Sequence, residues 1–188
     1  LKSSNKAYEL IKKYEGLRLV AYKAVSTEKY YTIGYGHYGK NITKGMVITK
    51  ETAESLLHND IKKAENAVNI YNQLYSFNQC QYDALVSFAF NVGNIKQLTN
   101  NGKRTISQIA NALPLYCKSG GVKLNGLVKR RNEELTLFLR ETNELETVAR
   151  QVLTGKWGNG QARKEALTLA GYDYKEIQSI VNKLLKEV

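Results

Sequence analysis

One proline, two cysteines, two histidines and one tryptophan in 188 residues leave several protein classes without their raw material. Cys80 and Cys117 stand far apart, with no CxxC pair and no Cys/His cluster at metal-ligand spacing, which speaks against a zinc site and leaves two thiols or one disulfide as the choices. Each borders an apolar helical stretch, so two reduced, partly buried thiols are expected. Neither a metal nor an organic cofactor is called for. No stretch approaches the roughly 20 apolar residues of a membrane span, so stable membrane insertion is not expected. The opening Leu1-Lys2-Ser3-Ser4-Asn5 lacks the apolar core of a signal peptide.

Long runs of Lys and Arg are also missing, although the net charge is +11. Such a charge favours a polyanionic partner: nucleic acid, an anionic membrane surface, or a cell wall carrying anionic polymers. The basic residues are interleaved with acidic ones along helical stretches, the pattern of a solvated face rather than a nucleic-acid arm. What is present, 43% hydrophobic and 24% charged residues, suits a folded, helix-rich chain of one domain plus a small module.

Ala7, Leu10, Ile11 and Tyr14 form one face of a first helix that Gly16 is placed to end, which sets Glu15 at its C-terminal edge. From Leu17 to Tyr35, β-branched and aromatic residues around Ser26-Thr27-Glu28-Lys29 predict two short strands and a turn, and Gly34, Gly36 and Gly39 mark a tight loop. Thr49 starts a second helix, with Ala53, Leu57, Ile61, Ala64 and Val68 at helical period. Tyr82, Leu85, Val86 and Ala89 predict a core helix closed by Gly93, and further helical segments follow to about Arg140. Glu141-Thr142-Asn143-Glu144 reads as a polar break before a separate unit of three short helices. The first ends at Gly155, the second runs from Gln161 to Ala170, and the third starts at Asp173.

Read for chemistry, Glu15 at a helix end precedes a strand-turn-strand holding Glu28, then Thr32 and His37 in Tyr31-Thr32-Ile33-Gly34-Tyr35-Gly36-His37. Glycoside hydrolysis needs one carboxyl that keeps its proton and a second group that activates water or forms a covalent intermediate. The bland alternative is an exposed helix-end glutamate and a solvated turn glutamate.

Tyr14-Glu15-Gly16-Leu17-Arg18, Ala21-Tyr22-Lys23 and Thr32-Ile33-Gly34-Tyr35-Gly36-His37 resemble the signature of phage-type lysozymes, glycoside hydrolase family 24. So do Asn78-Gln79, Tyr82-Asp83-Ala84-Leu85, Phe88-Ala89-Phe90-Asn91-Val92-Gly93 and Gly126-Leu127-Val128-Lys129-Arg130-Arg131 with Glu133. The resemblance covers about residues 5 to 140, with several separated motifs in the family's order. It implies an inverting hydrolase in which Glu15 is the general acid and Thr32 helps hold the attacking water. The family's aspartate usually lies nine residues after the glutamate and six before the threonine, positions that here hold Ala24 and Ser26. Glu28 is the acid left in the hairpin, and stands either as the second carboxylate or as a turn residue. His37 matches the family's histidine and is read either as a substrate contact or as a structural donor to a backbone carbonyl. Arg130 either binds acidic groups of the substrate or forms a salt bridge to Glu15 or Glu133.

Ala149, Val152-Leu153, Gly155-Lys156-Trp157-Gly158-Asn159-Gly160, Arg163-Lys164, Leu167 and Ala170-Gly171-Tyr172-Asp173-Tyr174 resemble the short cell-wall-binding repeat of type seven found in phage lysins. That likeness implies binding to bacterial peptidoglycan. Trp157, Tyr172 and Tyr174 offer faces for sugar rings and Arg163 hydrogen bonds to glycan or peptide oxygens, unless Trp157 and Tyr174 fill the bundle's core instead.

The expectation is therefore an α+β, lysozyme-like catalytic domain over residues 1–143, with a small β-hairpin lobe and a mostly helical lobe, followed by a three-helix wall-binding module over 144–188. Its partner is peptidoglycan and not nucleic acid, its place the host cytoplasm until release and then the bacterial wall. Two rivals differ in measurable ways. A lytic transglycosylase needs one acid and forms an anhydro sugar without adding water. A non-catalytic, basic wall- or nucleic-acid-binding protein would leave purified peptidoglycan turbid.

Overall fold

The computed structural model describes residues 1–186 and divides between Phe138 and Leu139 into two compact units. The first unit opens with α1 (Asn5–Glu15), whose N-cap Ser4 accepts from the Lys6 N–H. Ala7 and Ile11, one turn apart, are its fully buried contacts. The small sheet follows: β1 (Arg18–Tyr22), β2 (Tyr31–Gly34) and β3 (His37–Gly39), antiparallel in that order. Arg18 pairs with Gly34 and Tyr22 with Thr32, so the register slips between them and the strand bends. The segment from Gly36 to Gly39, expected to be loop, instead supplies the third strand.

Helix α2 (Lys50–Tyr75) starts on the Thr49 cap and buries the stripe Ala53, Leu57, Ile61, Ala64 and Val68. It packs against β2 and against α3 (Gln79–Val92), which also receives α1. Every residue of α3 from Cys80 to Ala89 is buried, including three polar ones, Gln81, Asp83 and Ser87. A helix buried all round must satisfy such groups internally. Gln81 completes a capping box with Asn78, Ser87 donates to Glu134, and Asp83 accepts from Ser4 N at 2.9 Å, Ser4 Oγ at 2.5 Å and Gln79 Nε2 at 3.0 Å. Asp83 therefore ties the start of α1 to the central helix, which fixes where the far end of α1 places Glu15.

Two short pieces, α4 (Ile106–Ala112) and a 3-10 turn at Leu113–Leu115, precede a second hairpin, β4 (Lys118–Ser119) and β5 (Val122–Lys123). That hairpin falls in a region expected to be helical. Gly120-Gly121, both at positive φ, form its two-residue turn, the connection that matches strand twist. Helix α5 then runs from Asn125 to Leu153 without interruption, so the polar stretch 141–144 is helical, although the two units divide close by, between Phe138 and Leu139. Glu, Thr and Asn cost a helix interior well under about 1 kcal/mol each, far less than the roughly 3 kcal/mol of a Pro.

The second unit contains the end of α5 with α6 (Gly160–Leu169) and α7 (Tyr174–Leu184). Val148, Ala149, Val152, Leu167, Ile177, Val181 and Leu184 form its core. Asp173 caps α7 by accepting from Glu176 N at 2.9 Å. Both cysteines are free thiols and buried. Among the described residues no helix is long and apolar enough to cross a membrane.

The Ser4–Asp83 tie generates a stability prediction. Ser4→Ala removes a helix cap and leaves a fully buried carboxylate short of a donor, so it should cost about 1–3 kcal/mol in urea unfolding. A loss below about 0.3 kcal/mol would show that Asp83 does not depend on this contact.

Candidate active site

Glu15 is the last residue of α1, and Gly16 at φ +68 turns the chain away while its N–H bonds Lys12 O at 3.0 Å. Its side chain is partly exposed, and Oε1 accepts a 2.7 Å hydrogen bond from Nη1 of the buried Arg130. Oε2 faces the turn after β2, where a Cβ on Gly36 would come within 3.2 Å of it. Gly36 sits at φ +84, so glycine is needed there both for backbone conformation and for room beside the carboxyl. Gly34 plays a similar part against α2, where its Cβ would lie 3.3 Å from that of Ala53. The two glycines of the Thr-Ile-Gly-Tyr-Gly-His motif thus bring the sheet against α2 and against the end of α1.

Arg130 commits each of its three nitrogens to a protein acceptor: Nη1 to Glu15, Nε to Glu134 Oε1 at 3.1 Å, and Nη2 to the Ser87 carbonyl at 3.1 Å. Of the alternatives left open by the sequence, the bridge to Glu15 is the one formed. Glu133 pairs instead with Lys13 at 2.7 Å, which holds the Glu133 carboxyl below the usual carboxylate range. Arg130 is therefore engaged in holding Glu15, with three of its five N–H groups committed to these acceptors. Below it lie Arg131 and Glu134, both fully buried. Arg131 Nη2 donates to Asn91 Oδ1 at 2.8 Å, its guanidinium lies 4.6 Å from the Phe88 ring centroid, and Ser87 Oγ donates to Glu134 at 2.8 Å. Burial pushes the Glu134 carboxyl up, against the pull of Arg131 and Arg130, and pushes Arg131 down. Burial, followed by the Glu133 carboxylate, pushes the Tyr14 phenol up to about 12. Sequence reading missed Glu134, although Arg130 and Glu134 at i and i+4 share one helix face.

Thr32 is buried on β2, opposite Tyr38 of β3, and no described group takes up its hydroxyl. Glu28 is half-buried, and its Oε2 accepts from the Ala24 N–H at 2.9 Å while its carbonyl accepts from Lys23 Nζ. Glu28 thus closes the hairpin loop, the turn role foreseen as an alternative. The same bond puts its carboxylate against the backbone of Ala24, one of the two positions counted for the family's aspartate.

Of the two readings of His37, the bond to a backbone carbonyl is not the one made. Its Nδ1 lies 2.6 Å from Oδ2 of Asp60 on α2, and Asp60 also meets Lys63 at 3.1 Å. The contact ties β3 to α2.

In the second unit Trp157, Tyr172 and Tyr174 pack, partly buried, against the core. Trp157 meets Tyr172 edge-on with centroids 6.0 Å apart and donates from Nε1 to Gln151 at 3.0 Å. Arg163 holds the preceding loop through Gly158 O at 3.0 Å and Asn159 Oδ1 at 2.9 Å. The core-filling alternative thus accounts for much of Trp157 and Tyr174, whose rings stay partly exposed. Among the described residues no three His, Cys, Asp or Glu side chains gather to hold a metal.

The family model described as Phage lysozyme matches residues 12–134, and that described as CW_7 repeat matches residues 146–185. An endolysin of Bacillus phage B103 is 46% identical over 155 residues, covering 79% of this chain and 57% of that protein. This chain thus spans little more than half the length of that relative. An endolysin of Acyrthosiphon pisum secondary endosymbiont phage 1 is 37% identical over 144 residues, covering 72% of this chain and 96% of the relative. Among solved structures, the muramidase domain of SpmX from Asticaccaulis excentricus superposes with a TM-score of 0.62 at 34% identity, covering 73% of this chain and 97% of that one.

Gly36→Ala should crowd Glu15 Oε2 and strain a positive-φ position, lowering stability by about 1 kcal/mol and slowing peptidoglycan clearing at least about tenfold. Gly39→Ala, where nothing lies within 4 Å, serves as the control and should change neither. Equal behaviour of the two variants would contradict the close approach of Gly36 to the carboxyl.

Proposed function

We propose, from the premise that this chain belongs to the phage lysozyme family, that it is an endolysin. It hydrolyses the β-1,4 bond between N-acetylmuramic acid and N-acetylglucosamine of bacterial peptidoglycan with inversion. The observation that carries this reading is the Glu15 carboxyl, held through one oxygen by Arg130 at 2.7 Å with the other oxygen left to face the turn at Gly36. A proton on Oε2 passes to the glycosidic oxygen as the bond from that oxygen to the sugar's anomeric carbon breaks. Water, oriented by the Thr32 hydroxyl, adds to the anomeric carbon from the opposite face and gives its proton to Glu28. The carboxylate recruited to the Ala24 N–H supports that role for Glu28.

The domain over residues 1–143 carries this chemistry and that over 144–188 binds the wall, where Trp157, Tyr172 and Tyr174 supply ring surface and Arg163 a guanidinium. His37 and Arg130 border the substrate but act on it by fixing β3 and Glu15. Action at the wall after storage in the host cytoplasm belongs to the same proposal and rests on kinship with endolysins. Mass spectrometry of the fragments released from purified peptidoglycan tests the reaction class: each cleavage should add one water. Anhydro sugars would point to transglycosylation instead.

Glu28→Gln should lower kcat by at least about tenfold with little change in wall binding, as expected when a transition-state contact is lost. Near-normal kcat would leave Glu28 as a loop-closing residue only. Deleting residues 145–188 shortens α5 but keeps its buried Leu137 and Phe138. The shortened chain should still fold and clear peptidoglycan, yet be retained less on insoluble peptidoglycan at moderate salt, which screens bulk charge. Equal retention of both forms would count against wall binding by the module.

A further inference from the structure

The buried cluster beneath Glu15 holds more charge than a salt bridge requires. Glu134 Oε1 accepts from Arg130 Nε at 3.1 Å and from Ser87 Oγ at 2.8 Å, while its Oε2 lies 3.1 Å from Arg131 Nε. That last contact is an ion pair without hydrogen-bond alignment, and Arg131 Nη1 also lacks an aligned acceptor. Arg131 thus acts on its surroundings mainly through its charge. With Glu15 ionised, the two glutamates and two arginines sum to zero, and with Glu15 protonated they sum to +1. The groups facing this cluster are few. From α1 come Glu15 and Tyr14, whose ring lies 5.6 Å from the Arg130 guanidinium. From α3 come Ser87 and Asn91, Cys117 lies near Arg131, and the Lys13–Glu133 pair stands at the edge.

We propose that Glu134 is a positioning residue for the reaction: by occupying Arg130 Nε and offsetting a buried guanidinium, it lets Arg130 orient Glu15 without stripping it of the proton it must deliver. Arg131 acts in the opposite sense, adding positive charge that favours ionised Glu15. A low-dielectric interior makes both influences reach across the Arg130 side chain. The inference rests on Glu15 being the proton donor of a glycoside hydrolase.

The experiment compares pH–rate profiles of the full chain and its variants on purified peptidoglycan at limiting substrate. Glu134→Gln removes the offsetting charge, so the alkaline limb should move to lower pH by about one unit, with about a tenfold loss of rate on that limb. Arg131→Gln should move the same limb to higher pH. A purely structural role for either residue predicts lower rates without limb shifts of opposite sign, and that result would overturn the proposal. Should Glu134→Gln not fold, Glu134→Asp keeps the charge but draws it back from Arg130, and a smaller downward shift is then required. An unmoved limb in that variant overturns the proposal equally. If the unaltered chain releases no fragments at any pH, the functional reading itself fails. If it releases hydrolysed fragments and only the limb shifts are missing, the fault lies with this inference alone.

Discussion

The guanidinium of Arg130 is the point on which the first unit turns. It reaches the end of α1 through Glu15, the carbonyl of Ser87 on α3, and Glu134 on its own helix. A buried arginine is tolerated only when paired and hydrogen-bonded, because removing a guanidinium from water is costly. The surrounding fold meets that demand. Helix α3 is buried throughout and presents Ser87 twice, by its carbonyl to Arg130 and by its hydroxyl to Glu134. Helix α1 is pinned at its start by Asp83 and stopped at its end by Gly16, so Glu15 arrives at a fixed place. The glycines at 34 and 36 then allow the sheet to close on that carboxyl without a side chain intervening.

Much of this was legible in the residues themselves. The spacing of Ala7 and Ile11 with Gly16 beyond predicted the helix that presents Glu15, and Thr49 and Gly93 marked true helix ends. The elements that escaped are those decided by weak local signals. Strand β3 depends on pairing with β2, a non-local event, and the β4–β5 hairpin is two residues long on each side. The helix through 141–144 continued because its polar residues have modest propensity costs and nothing there forbids a helical backbone. The partner of His37 lies on another element, where sequence spacing carries little information about which acceptor wins, whereas the i, i+4 spacing of Arg130 and Glu134 was there to be read.

The second unit illustrates how a small core limits what its aromatic residues can do. With seven buried residues among those described forming its centre, it draws Trp157, Tyr172 and Tyr174 partly inward to complete the packing. Arg163 in turn braces the Gly158-Asn159 loop. Large aromatic side chains thus extend a core that so small a unit could not otherwise fill.

The central claim is that Glu15 supplies the proton for glycosidic cleavage while Arg130 holds it. The most direct test is the rate of peptidoglycan clearing by Glu15→Gln. The amide oxygen can still accept from Arg130 Nη1, so the site keeps its shape, but an amide cannot give a proton to the departing oxygen. The account predicts a loss of about 10²–10⁴-fold with unfolding behaviour unchanged. Clearing at the rate of the unaltered chain by a well-folded Glu15→Gln protein would contradict it.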